Sequence, residues 1–349
     1  TAYEIRLSLV GSEMCIRDRS NVADITFVEV DESASDVVGT MRFGFTTYKG
    51  SAANVAGWAT GPGGGTGNGD VWITSTNDAD GVAQRANDDL FQKGYSQGFL
   101  TLLHEIGHAL GLAHPFEGYL MEGADQNTGE GATFDHQKYT VMSYTVDDTV
   151  WFNGPAHPNQ GYAISHTPMM YDIAAIQWMY GEQETNVGDT VYDSFDPATP
   201  FAMAIWDSGG VDTIDLSTFI ENCDLSLVSG TSSTVACQTG GTGWYSDQMV
   251  NNLSIAFGTT VENIIAGSGD DTVVGNNVAN VIVGGIGADT ITTGDGADTI
   301  VIRAGDGGSA IADADKITDF TDGIDMLGLD DGLLYTDLTI PQGTLGNYS

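Results

Sequence analysis

The chain has 349 residues, room for two domains and a sizeable core. It carries 48 acidic residues against 10 basic ones, a formal net charge of −38. Such a surface repels nucleic acid and anionic membranes, and no apolar run approaches the roughly 18–20 residues of a membrane-spanning helix, so neither partner is expected. The acidic residues are mostly Asp, many beside Gly, a pattern that suits divalent cations. The cysteines are Cys15, Cys223 and Cys237. In an extracellular protein the last two could close one disulfide, or they stand as separate thiols.

Residues 1–19 stand apart in composition, with Arg6, Arg17 and Arg19 among the 10 basic residues of the chain. The string LSLVGSEMCIRDR resembles a translated sequencing adaptor, so the segment is set aside from the fold. The natural N-terminus, with any pro-segment, is then expected to lie outside this sequence, and the abrupt stop at Ser349 suggests a cut C-terminus. From Ser20 the pattern is regular. Residues 25–30 alternate and are rich in β-formers, predicting a strand, and 41–46, 55–60 and 71–75 predict three more. Phe99, Leu103, Ile106 and Leu110 form one helical stripe that Gly111 and Pro115 end. A second helix is expected over 168–180, with Ile173, Ile176, Trp178 and Tyr180 among its apolar positions. Strands first and helices afterwards predict an α+β domain ending near Gly181.

The second half changes character. Nine-residue units span 266–274, 275–283, 284–292 and 293–301. Their sixth positions are Asp271, Asn280, Asp289 and Asp298, and their eighth are Val273, Ile282, Ile291 and Ile300. A fixed period with acid and aliphatic residues in register is a structural repeat.

The most specific feature is His104-Glu-Ile-Gly-His-Ala-Leu-Gly-Leu-Ala-His114. His104 and His108 share one face of a helix and can bind one zinc ion. Glu105 is placed to take a proton from an attacking water. Gly111 allows a sharp exit through positive φ, which returns His114 as a third ligand. Three protein ligands leave a position open, the mark of a catalytic site. The motif with a later methionine turn is the metzincin signature. Val141-Met-Ser-Tyr144 fits that turn, with Met142 as an apolar floor and Tyr144 as a movable ligand or oxyanion donor.

With these motifs in this order the sequence resembles the serralysins, calcium-dependent bacterial metzincins, over residues 21–330. The resemblance rests on HEIGHALGLAHP (104–115), VMSY (141–144), DIAAIQWMYG (172–181), WDSGGVDTIDLS (206–217), LSIAFGTTVENIIAGSGDD (253–271) and the nonapeptides. It implies an α+β metzincin-type catalytic domain over 20–183, followed by an all-β parallel β-roll (RTX) domain over 184–349. It implies a secreted zinc endopeptidase acting on protein or peptide substrates, with His104, His108 and His114 as ligands, Glu105 as base and Tyr144 as the switchable tyrosine. It further implies export by type I secretion machinery and a chain that works as a monomer. In the repeats, each Asp offers a carboxylate to a structural calcium ion between two loops. Two units make one coil, so Asp271 is expected to face Asp289, and Asn280 to face Asp298. The unit carrying Asn280 lacks the Gly-x-Gly core, so its site should be weaker or closed by other ligands. Asp212 resembles a further calcium ligand. A rival reading is a non-catalytic calcium-dependent adhesin or surface-layer protein with a vestigial metal site, but intact Glu105 and His114 argue against it. His136, His157 and His166 remain unassigned, His136 being near enough in sequence to line the cleft.

Overall fold

The computed structural model describes residues 2–6, 12–30, 40–46, 56–63, 65, 67–74, 97–117, 134–145, 151–154, 157–162, 165–197, 201–236, 250–306 and 313–337. The first half contains β1 (Ala2–Arg6), α1 (Ser12–Ser20), β2 (Thr26–Glu29), β3 (Met41–Thr46), β4 (Gly57–Ala59) and β5 (Val71–Thr74). These precede α2 (Gln97–Ala109), the hairpin of β6 (Trp151–Gly154) and β7 (His157–Tyr162), and α3 (Met170–Tyr180). One sheet has the order β2-β1-β3-β5-β4, parallel except for the antiparallel edge strand β4. The four expected strands map onto β2 to β5, with Val55 and Ser75 outside the described residues.

The helix α2 packs its stripe on this sheet. Phe99, Leu103, Ile106 and Leu110 are fully buried together with Met41, Phe43, Val71 and Ile73 of β3 and β5. The second expected helix is α3, and there Ile173 and Ile176 are buried. Trp178 is 87 % exposed, because two residues past Ile176 lie on the opposite side of a helix. Of the segment set aside on composition, residues 2–6 and 12–19 are drawn into the structure. The strand β1 pairs with β2 and β3. Cys15 and Ile16 of α1 join the core, and Arg19 is buried with its guanidinium donating to the Leu103 carbonyl. A foreign composition does not prevent an apolar pair from filling the space beside α2.

The second half is built of short strands: β8 (Val191–Tyr192), β9 (Met203–Ile205), β10 (Thr213–Asp215), β11 (Asp224–Ser226), β12 (Ser232–Ser233) and β13 (Leu253–Ile255). Then follow β14 (Asn263–Ile265), β15 (Thr272–Val274), β16 (Val281–Val283), β17 (Thr290–Thr292), β18 (Thr299–Ile302), β19 (Lys316–Ile317) and β20 (Met326–Leu329). From β14 onward, successive strands alternate between two parallel sheets, ordered β20-β18-β16-β14-β10-β8 and β11-β15-β17-β19. Thr272 pairs with Thr290, and Val281 with Thr299, so each coil consumes two nonapeptides. The eighth-position residues Val273, Ile282, Ile291 and Ile300 are fully buried between the sheets. The loops stack backbone on backbone. A Cβ at Gly285, whose φ is +92°, would lie 2.0 Å from the Gly267 carbonyl oxygen, so only glycine fits there.

The two halves meet at a small apolar cluster of Val22, Ile173, Ala204, Trp206 and Ala256. The Trp206 indole N–H donates to the Gln183 carbonyl at 2.9 Å. Cys223 carries a buried free thiol that accepts from the Ala236 N–H, while Cys237 lies outside the described residues. No helix among the described residues is long and apolar enough to cross a membrane.

Truncating Ile282 to Ala leaves a cavity between the sheets and should cost about 2–5 kcal/mol. Urea unfolding of Ile282→Ala in calcium, followed by tryptophan fluorescence, checks this against an exposed control such as Val281→Ala, which should move little.

Candidate metal centre

The geometry starts with the end of α2. The Gly111 N–H bonds the His108 carbonyl and the Leu112 N–H reaches back to the Gly107 carbonyl, both at 2.9 Å. This is the Schellman arrangement, and it needs a left-handed residue at Gly111, whose φ is +103°. The reversal brings His114 back towards the helix. His104, His108 and His114 then form a cluster whose ligand atoms all lie within 4.8 Å of one another.

Each of the first two rings is oriented from behind. His104 Nδ1 is 2.8 Å from the Val141 carbonyl, and His108 Nδ1 is 2.8 Å from the Leu112 carbonyl. A carbonyl can only accept, so Nδ1 carries the proton and the Nε2 lone pair faces the centre. His114 Nε2 sits 3.2 Å from His104 Nε2 and 3.1 Å from His108 Nε2. Burial lowers the pKa of His104 to about 3, and also lowers that of His108, so both rings are neutral at neutral pH. Neutral imidazoles with converging lone pairs repel one another unless a cation lies between them. Tetrahedral zinc with bonds of about 2.0–2.1 Å needs nitrogens about 3.3–3.4 Å apart, so the residues fit that ion.

Glu105 is buried beside the triad, and burial pushes its carboxyl up to about 8 against the opposing pull of the Ala59 N–H. A carboxylate with raised proton affinity suits general-base work near neutral pH. Tyr144 stacks its ring on His104 at 5.5 Å and lies 4.7 Å from the His114 ring. Its pKa is raised by partial burial and by Glu105 and Glu117, which keeps the hydroxyl a donor. Met142 is buried behind the helix, where a Cβ on Gly107 would lie 2.6 Å from its sulfur.

The methionine turn is held by a residue the sequence motifs did not assign. Asp172, buried in the first turn of α3, accepts from the Thr140 hydroxyl at 2.7 Å and from the Val141 and Met169 N–H groups at 2.8 Å. Burial raises its pKa, while these bonds and the Arg19 charge oppose the rise. Since Val141 also orients His104, Asp172 reaches the metal site through one residue. The sequence signal was a lone acid at the start of a helix. Gly107 was also unassigned, and its signal was a glycine inside a helix, unfavourable by about 1 kcal/mol unless something packs closely there. His136 is not brought to the triad; its Nδ1 accepts from the Lys138 N–H in its own turn. His166 lies away from it too, bonding the Ala202 carbonyl through its backbone N–H, and the His157 side chain is outside the described residues.

The repeats hold a second set of buried donors. Asp289 Oδ1 accepts from the Asp271 N–H, and Asp298 Oδ1 from the Asn280 N–H, both at 2.8 Å. Asp212 Oδ1 accepts from the Thr190 N–H. The Oδ2 atoms of Asp212, Asp289 and Asp298 are buried with no hydrogen-bond partner among the described residues. Asp271 and Asn280 differ. Both Asp271 oxygens accept backbone N–H groups, and Asn280 bonds Asn276 and the Glu262 carbonyl. Burial, aided by neighbouring carboxylates, raises Asp289 to about 7 and Asp212 to about 6. A buried carboxylate oxygen left without a donor calls for a cation.

Comparison with known proteins gives the same two-part division. A family model described as Met-zincin matches residues 100–190, and one described as Peptidase M10 serralysin C terminal matches residues 171–337. The chain is 35 % identical over 287 residues to metallopeptidase AprA of Pseudomonas marginalis, covering 76 % of this chain and 53 % of that one. It is 33 % identical over 280 residues to serralysin G of Dickeya chrysanthemi, covering 76 % of this chain and 52 % of the other. The chain thus spans about half the length of the curated relatives it matches.

Two substitutions test the supports. Gly107→Ala drives a methyl into the Met142 sulfur and should destabilise by about 1–3 kcal/mol. Asp172→Ala leaves two buried N–H groups and a hydroxyl unmatched and should cost about 3 kcal/mol or more. Both are read from chemical denaturation of the full chain.

Proposed function

We propose that this chain, which is 33–35 % identical to metallopeptidase AprA and serralysin G over 76 % of its length, acts as a secreted zinc-dependent endopeptidase on proteins. The observation that carries this reading is the convergence of three imidazoles, with His114 Nε2 3.1–3.2 Å from the Nε2 atoms of His104 and His108, beside a buried carboxylate. His104, His108 and His114 would hold the zinc. When bound, zinc supplies a Lewis acid that makes water nucleophilic at neutral pH and polarises a carbonyl. Glu105 takes the proton of the attacking water and delivers it to the leaving nitrogen. The Tyr144 hydroxyl donates to the oxyanion. The Ala59 N–H holds Glu105 in place, and it belongs to the edge strand β4. The free side of that strand can pair with an extended peptide.

We place the catalytic domain at 20–183 and a calcium-binding β-roll of the RTX type at 184–349. The strand alternation and the unpartnered oxygens of Asp212, Asp289 and Asp298 support this, with Asp271 and Asn280 bracing the loops. Calcium neutralises carboxylates that otherwise raise the free energy of the folded coil, so ion binding and folding are coupled. We further propose export through type I machinery, as the resemblance implies, and action as a monomer. An adhesin is not favoured, since a binding module has no use for a base beside an open zinc position.

Casein cleavage by the protein with zinc and calcium is the direct test. Activity should vanish in Glu105→Gln and on zinc chelation, falling by at least about a thousandfold as expected for loss of the general base and metal. A folded protein that binds one zinc and cleaves nothing would refute the protease reading. Separately, a calcium-selective chelator should abolish the β-sheet circular dichroism of the C-terminal half, and added calcium should restore it.

A further inference from the structure

The three imidazoles are not supported alike. His104 and His108 are oriented by neutral carbonyls, those of Val141 and Leu112. His114 lies beyond the end of α2 and has no helix to hold it. Its Nδ1 is buried and finds no aligned hydrogen-bond partner among the described residues. The atom facing it is a carboxylate oxygen, Glu117 Oε1, at 2.9 Å. The contact lacks the alignment of a hydrogen bond, so the carboxylate acts on the Nδ1–H dipole of the ring by its charge at short range.

Local sequence builds this contact. The Glu117 N–H bonds the His114 carbonyl at 3.0 Å, closing a turn over His114-Pro115-Phe116-Glu117. Proline suits the second position of such a turn, and the closure returns the Glu117 side chain to the residue that opens it. Phe116 stacks face to face on His114, with centroids 4.8 Å apart and planes 7° from parallel, and Tyr144 meets both rings. One short turn therefore fixes the ring from its face and from its rear nitrogen.

We propose that Glu117 is a positioning residue for the third zinc ligand, holding His114 as the Nδ1–H tautomer with Phe116 clamping the plane of the ring. The inference rests on the zinc reading above. A carboxylate behind a ligating histidine raises its basicity as well as fixing its orientation, which a carbonyl does less. Since His114 is the one ligand placed by a loop, it is where metal affinity is most sensitive to such support. The side chain of Glu117 is half exposed, so its removal leaves no cavity and no buried orphan in the core.

The test is zinc affinity, not turnover. Metal-stripped protein, kept in calcium, is titrated with zinc against a chromophoric chelator. The wild type should bind one equivalent. Glu117→Ala should bind about 10–100-fold more weakly, Glu117→Gln should fall between the two, and Glu117→Asp should stay within about threefold of wild type. The thermal midpoint of the metal-free protein should be the same for all four. Equal zinc affinity in Glu117→Ala and wild type overturns the proposal. So does a fall in affinity that tracks a lowered midpoint in Glu117→Gln, which would make the residue merely structural. If the wild type itself binds no zinc, the metal-site reading fails, a result distinct from the other two.

Discussion

Converging lone pairs are the constraint on which this structure turns. Three converging imidazole nitrogens, that of His114 lying 3.1–3.2 Å from the other two and those two with their protons tied to carbonyls, form an arrangement that is unfavourable alone. The surrounding structure enforces it. The Schellman turn at Gly111 sets the return path, the methionine turn supplies the Val141 carbonyl, and Asp172 ties that turn to α3. Core packing of α2 on the sheet thus fixes where a metal must go. The same logic governs the second half, where the buried Oδ2 atoms of Asp212, Asp289 and Asp298 have no hydrogen-bond partner among the described residues. Both halves are shaped around positive charge that their own sparse basic residues do not supply.

Much of this was legible because local periodicity carried it. The i, i+4 spacing of His104 and His108 placed two ligands on one helical face. The glycine at 111 announced the turn that returns the third. In the repeats, the nine-residue period gave both the stacking of strands 18 residues apart and the buried row of Val273, Ile282, Ile291 and Ile300. What escaped was contact across the chain. Nothing in the neighbourhood of Asp172 says that its carboxylate will meet Thr140 and Val141, and nothing near Gly107 names Met142 as the atom that forbids a side chain. Trp178 shows that an apolar residue need not be a core one, since its helical phase points it outward. Residues 12–19 show a further limit, since composition separates them from the chain but packing places Cys15 and Ile16 in the core.

The joint between the halves is modest in size but well connected. Trp206 buries its ring against Val22 and Ile173 of the first half and Ala204 and Ala256 of the second, and its indole N–H reaches Gln183. Ile173 adjoins Asp172, so the same helix that secures the methionine turn also receives the coil. Stability of the second half is thereby linked to the first through α3 without contact at the imidazoles themselves.

The strand alternation has a mechanical corollary. Each coil in the second half bonds only to the coil on either side, as β16 does to β14 and β18. Such an array behaves like a one-dimensional chain of coupled links, in which cohesion resides at the junctions. A faulty link weakens its neighbours and leaves distant ones nearly untouched. A coil should therefore loosen together with its immediate neighbours, while the side joined to the first half through Trp206 is held by that contact as well.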